Sequence, residues 1–214
     1  MREWWWRLVR FGFRLLYNEL AFTYDLVSKA VSLGRWRCWQ RTAFDFLDDS
    51  YDMPLLELAH GTGDLQLDLH QRDYAAVGFD LSADMGRITR RKLTRHCVPV
   101  RLTRGNAQAL PYPDEVFPAV VCTFPTPFIL QPQTLAEIYR VLQPGGRLVV
   151  VPSGMLTGRT PTEGFLEWLY EITGQREGSM AAFVAAFTAA GFRAEMQYVP
   201  CPQSVAVVVV GEKP

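Results

Sequence analysis

The 214 residues contain only three histidines, His60, His70 and His96, and no two of them have metal-ligand spacing, so no metal is expected. The four cysteines, Cys38, Cys97, Cys122 and Cys201, include no CxxC pair. That scatter predicts reduced thiols in a cytosolic protein rather than a disulfide framework. Net charge is absent too: 22 Lys and Arg face 22 Asp and Glu, so a nucleic-acid partner is not expected. The first 30 residues have no uncharged apolar core followed by a small-residue cleavage site, so no secretory signal is expected. Repeats, low-complexity linkers, a Ser-His-Asp set and a paired-carboxylate arrangement are all missing. These absences remove metal hydrolysis, triad hydrolysis and polyanion binding as first readings.

What is present is enough apolar sequence, 49% of residues, to bury a sizeable core. From Tyr51 onward, apolar runs alternate with amphipathic ones. Strands are expected near 54–60, 75–80, 98–103, 117–123, 146–152, 194–200 and 204–211, and helices near 64–71, 83–96, 132–142 and 178–190. Such alternation predicts an α/β fold, a doubly wound and mostly parallel seven-stranded sheet. The last two runs are joined only by "CPQS", too short for a crossover helix, and should form an antiparallel C-terminal hairpin. The segment 162–173 reads as an inserted helix over the strand ends. Residues 1–50 read as N-terminal helices forming a lid, and 51–214 as the main domain.

In "LLELAHGTGDL" (55–65), an apolar run ends on Glu57 and turns through Ala59, Gly61 and Gly63. Small residues there let a ligand approach the main chain without a Cβ in the way. In an open α/β sheet the ligand cleft lies at the carboxyl ends of the strands, at a topological switch point. Asp80 ends the next strand, seventeen residues past Gly63, where an acid accepts both hydroxyls of a ribose. The alternative role for Asp80 is to cap the following helix, which Ser82 would do better. Asn106 and Ala107 follow the third strand, where an amide and the main chain read an adenine edge; the alternative there is a simple turn.

The set "LLELAHGTGDL", "VGFDLSADM", "GNAQALPYPDEVF" and "IYRVLQPGGRLVVV" resembles the class I S-adenosylmethionine-dependent methyltransferases. The closest likeness is to the ubiquinone/menaquinone C-methyltransferases and the phospholipid N-methyltransferases. The resemblance covers about residues 22–152. It implies S-adenosylmethionine as cofactor, with Glu57, Gly61 and Gly63 beside its methionine part, Asp80 on the ribose and Leu81 against the adenine. It further implies Asn106 and Ala107 at the adenine edge, Thr123 beside the transferred methyl, and Tyr24 and Asp25 folded over the cofactor. His60 stands where the family has a small residue. Pro118 replaces a common acid, and "TFPTPFI" (123–129) departs from the quinone enzymes' segment. For a carbon or oxygen acceptor, which must lose a proton, His60, Tyr24 and Asp25 are the catalytic candidates.

Residues 3–22, "EWWWRLVRFGFRLLYNELAF", read as a helix. At about 100° per residue, Glu3, Arg7, Arg10, Arg14 and Asn18 share one stripe in an otherwise apolar surround. Residues 1–41 hold eight basic residues against three acids. An arginine stripe with Trp4–Trp6 predicts an anchor on an anionic membrane surface; burial against the main domain or a second subunit is the alternative. A transmembrane span is not expected, because three arginines inside it would cost about 2.5–3.5 kcal/mol each. The reading is therefore a cytoplasmic enzyme, peripheral on the inner face of the membrane, that methylates a lipid-soluble acceptor. A phospholipid amine and a quinol-type ring are rival acceptors. Methylation of a soluble small molecule and a non-catalytic scaffold are the alternatives.

Overall fold

The computed structural model describes residues 30, 32–49, 51–157 and 180–214. The expected helix 3–22, the Tyr24–Asp25 pair, the inserted helix 162–173 and the first residues of the last helix lie outside them. The described strands are β1 (Leu55–Leu58), β2 (Ala76–Asp80), β3 (Leu102–Arg104), β4 (Phe117–Thr123), β5 (Leu142–Leu156), β6 (Arg193–Cys201) and β7 (Ser204–Glu212). The α-helices are α1 (Trp36–Arg41), α2 (Asp64–Gln71), α3 (Ala83–Arg95), α4 (Pro132–Val141) and α5 (Met180–Ala189).

The strands form one sheet in the order β3-β2-β1-β4-β5-β7-β6. Every neighbouring pair is parallel except the two made by β7, so β7 alone is reversed. The expected seven-stranded sheet and its C-terminal hairpin are both present. The apolar run at 146–152 marks only the middle of β5. Pairing of Phe117 with Leu142 at one end, and of Ser204 with Leu156 at the other, lengthens it.

Strand side chains alternate between two cores, as the two-residue period requires. Leu56, Leu58, Val120, Leu148 and Val150 meet α4 and α5 on one face. Leu55, Val121, Val149 and Val151 meet Trp39 of α1 and Leu65 and Leu69 of α2 on the other. Proline starts α4, where its missing N–H costs nothing. Ser82 caps α3, its Oγ accepting the Met85 N–H at 3.3 Å, which leaves Asp80 free of that task.

Short α1 is held by side chains rather than by its own length. Arg41 Nε and Nη2 donate to the two carboxylate oxygens of buried Asp68, each at 2.9 Å, and Arg37 Nη2 adds a third contact at 2.6 Å. Trp39 lies against Gly154, where a Cβ would come within 2.1 Å of the indole, and its Nε1 donates to Ser204 Oγ at 3.0 Å. Cys38 of α1 is disulfide-bonded to Cys201 of β6, with the Cα atoms 6.2 Å apart. This corrects the expectation of four reduced thiols; only Cys97 and Cys122 are free. The two bonded residues are 163 positions apart, so spacing carried no signal of the pairing.

Candidate active site

A cleft of about 570 Å³ opens at the carboxyl ends of β1, β2 and β4. It lies where β1 pairs with β2 on one side and β4 on the other, the switch point of the sheet. The loop after β1 forms its floor. Ala59 and Gly61 take left-handed backbone, φ 54° and 53°, and both line the cleft. A Cβ built on Gly61 meets nothing within 4 Å among the described residues, so these leave the space beside it open.

Gly63 is different. It caps α2 at φ 81°, and a Cβ there would lie 2.4 Å from Thr89 Cγ2. It does not line the cleft; its smallness serves the packing of α3 on the loop. His60 also lies behind the loop. It is buried, with Nδ1 3.0 Å from Gly61 O and 3.3 Å from Thr89 Oγ1, and is not among the lining residues. Burial lowers its pKa, opposed by the charge of Asp80, so the ring is neutral at pH 7. Thr89 Oγ1 donates to Gly61 O at 2.7 Å and completes the support of the turn.

Glu57 of β1 is fully buried and does not line the cleft. Among the described residues its Oε2 has no hydrogen-bond partner, and burial pushes its carboxyl pKa up to about 8, with Gln66 opposing and the Asp80 charge adding to the rise. The protonated acid is the form this site favours near neutrality.

Asp80 lines the cleft at the tip of β2. Its Oδ2 accepts the Gly61 N–H at 3.0 Å and its Oδ1 accepts the Ser82 N–H at 2.8 Å. Each carboxylate oxygen has a second acceptor site, so the group can still take two hydroxyls. Leu81 beside it is 67% exposed, an apolar surface lining the cleft. Asn106 and buried Ala107 form the far edge. Asn106 Oδ1 accepts the Gln108 N–H at 3.0 Å, so the turn expected as the alternative for Asn106 is present while the residue still borders the cleft.

The end of β4 supplies the remaining wall. Thr123 is buried at the cleft's edge, and Phe124 follows at φ 50°, its ring stacked on Trp36 with centroids 3.6 Å apart. Phe128 comes from the 3-10 turn Pro127–Leu130. Of the expected residues, Gly61, Asp80, Leu81, Asn106, Ala107 and Thr123 share one cleft; Glu57, Gly63 and His60 do not line it. No local sequence pattern marks Phe124, Phe128, Arg104, Trp36 or Gln40 as residues at or behind the cleft wall. The available signal was "TFPTPFI", which was visible only as a departure.

The donor set suits S-adenosylmethionine. Asp80 can hold the ribose, Leu81 and Ala107 the two faces of the adenine, and the open backbone at Gly61 the methionine part. Among the described residues no helix is long and apolar enough to cross a membrane.

A sequence profile of the ubiE/COQ5 methyltransferase family matches residues 13–186. The demethylmenaquinone methyltransferase of Thermus thermophilus is 38% identical over 164 residues, covering 75% of this chain and 72% of the relative. That of Deinococcus radiodurans is 37% identical over 139 residues, covering 64% and 58%. The chain thus spans less than two thirds of the second relative's length. The geranyl diphosphate C-methyltransferase of Streptomyces coelicolor, solved with S-adenosyl-L-homocysteine, superposes with a TM-score of 0.65 at 16% identity over 83% of this chain and 79% of that one, a likeness of fold. Profile, relatives and cleft agree: the chain belongs to the ubiE/COQ5 methyltransferase family, whose members use S-adenosylmethionine.

Proposed function

We propose that this protein methylates a ring carbon of a lipid-soluble, quinol-type acceptor, with residues 1–22 resting on an anionic membrane surface. The observation that carries the acceptor class is the aromatic wall at the end of β4, Phe124 and Phe128, beside the buried hydroxyl of Thr123. A flat, apolar ring with few polar groups matches such a wall. The relatives named demethylmenaquinone methyltransferase support the same class.

When bound, S-adenosylmethionine supplies an electrophilic methyl: the S–CH₃ bond breaks with its electron pair left on sulfur as the acceptor carbon forms its C–CH₃ bond, and a ring proton is then released. Asp80, Leu81, Asn106 and Ala107 orient the cofactor, and the aromatic wall excludes water and holds the ring in line. Such positioning supplies effective molarities of about 10⁵–10⁸ M. Tyr24 and Asp25 are proposed to take the released proton. His60 is enclosed by the loop and is better suited to holding Gly61 than to meeting an acceptor.

The test is incubation of the full chain with labelled S-adenosylmethionine and detergent-dispersed demethylmenaquinol, phosphatidylethanolamine or total cell lipid. Label in a methylated quinol supports the reading. Label in phosphatidylethanolamine alone, or in no lipid, overturns it. For the anchor, changing Arg7, Arg10 and Arg14 to Gln should weaken binding to phosphatidylglycerol vesicles by roughly a hundredfold, since each arginine contributes about 1 kcal/mol at an anionic surface. Equal sedimentation of wild type and triple variant would refute the electrostatic part.

A further inference from the structure

Helix α1 places two residues, one turn apart, on consecutive residues of the cleft wall. Trp36 stacks on Phe124, and Gln40 reaches Thr123, its Nε2 lying 3.2 Å from Thr123 Oγ1. Gln40 is buried, and its Oε1 has no hydrogen-bond partner among the described residues. Among the described residues, the contact to Thr123 is the hydrogen bond this amide makes.

That contact has a direction. Gln40 Nε2 can only donate, so Thr123 Oγ1 accepts. A hydroxyl that accepts from one side has its own proton to place elsewhere, and no acceptor for it is found among the described residues. Thr123 lines the cleft, so the proton is available to whatever occupies the β4 end. Reversing the amide would leave an –NH₂ orphaned in the interior instead of a carbonyl, the costlier of the two.

We propose that Gln40 is a positioning residue that makes Thr123 a hydrogen-bond donor to an oxygen on the ring of the methyl acceptor. A donor at that point fixes which ring carbon faces the methyl group and stabilises the oxyanion form of the acceptor over the neutral phenol. The oxygen-bearing aromatic acceptor rests on the function proposed above; the polarity of Thr123 does not.

The experiment uses 4-nitrophenol bound to the full chain, with S-adenosylhomocysteine at a concentration that calorimetry shows to be saturating for each variant. Absorbance reads the pKa of the bound phenol without turnover. Thr123→Val should raise that pKa by about one unit relative to wild type, a tenfold loss in the phenolate-to-phenol ratio. Thr123→Ser, which keeps a donor, should restore it. Gln40→Met should raise it by less, because the hydroxyl is then free to rotate, and should add nothing in the Thr123→Val background. An equal pKa in wild type and Thr123→Val, a Gln40→Met effect that persists in the double variant, or failure of the wild type to bind the phenol would each overturn the inference. If the expected pattern appears but demethylmenaquinol is not methylated, the acceptor assignment fails and the donor stands. If demethylmenaquinol is methylated and the pattern is absent, the reverse holds.

Discussion

The Gly61 backbone N–H donates to Asp80 Oδ2 at 3.0 Å, joining the loop after β1 to the tip of β2. One carboxylate therefore shapes the turn on which the cofactor would lie and offers the acceptors its ribose would need. The same carboxylate accepts the Ser82 N–H, which starts α3. Asp80 thus ties the loop after β1 to the residue that caps α3.

Asp80→Ala should weaken S-adenosylhomocysteine binding by the loss of hydrogen bonds to a charged group, about 1.5–3 kcal/mol, or roughly ten- to a hundredfold. Because Asp80 also holds two backbone N–H groups, the cofactor-free variant should melt below wild type. Calorimetry and thermal melting read the two effects separately. Unchanged affinity would refute the ribose assignment.

The two loop glycines should fail in different ways. Gly63→Val pushes a side chain into Thr89, so the fold itself should lose stability, by about 1–3 kcal/mol for the overpacking and 1–2 more for the left-handed backbone. Gly61→Val has open space in front of it and should lose less stability, while the added branch occupies the cleft and abolishes cofactor binding. Denaturant midpoints beside binding isotherms decide this; the same profile for both variants would contradict it.

Glu57 should make cofactor-free stability depend on pH. Its folded pKa of about 8 stands above the ordinary 4.5, so the folded state holds a proton that the unfolded state releases between those values. The contribution is fully present below about 4.5 and is lost as pH rises through about 8. The largest slope for one proton is about 1.4 kcal/mol per pH unit. Glu57→Gln should flatten the profile and gain on wild type as pH rises from 5.5 to 8.5. Urea titrations at three pH values test it; parallel curves for the two proteins would rule it out.

The Cys38–Cys201 bond closes a very long loop, so its removal should cost about 2–5 kcal/mol through the unfolded chain. Unfolded in the absence of reductant, the protein should titrate two thiols, Cys97 and Cys122, and four after reduction. Cys38→Ser should lower the melting temperature and make it insensitive to reductant. Four thiols without reductant would remove the bond from the account.

Much of the architecture was legible from Leu55, Glu57, Asp80, Asn106 and the valine runs, because strand period, glycine turns and strand-end acids are local patterns that backbone geometry imposes on neighbouring residues. Ser82 as the cap of α3 and "CPQS" as a hairpin turn belong to the same class. Tertiary structure alone separated Gly61 from Gly63, since the difference lies in Thr89, a residue on another helix. It also turned His60 behind the loop. Most of all, it joined Gln40 to Thr123 across 83 residues, Cys38 to Cys201 across 163 and Trp39 to Ser204 across 165. A short helix with no periodic signal of its own acquires its place from the surfaces it meets. Its effect on the cleft was decided only when the sheet had brought the end of β4 beneath it.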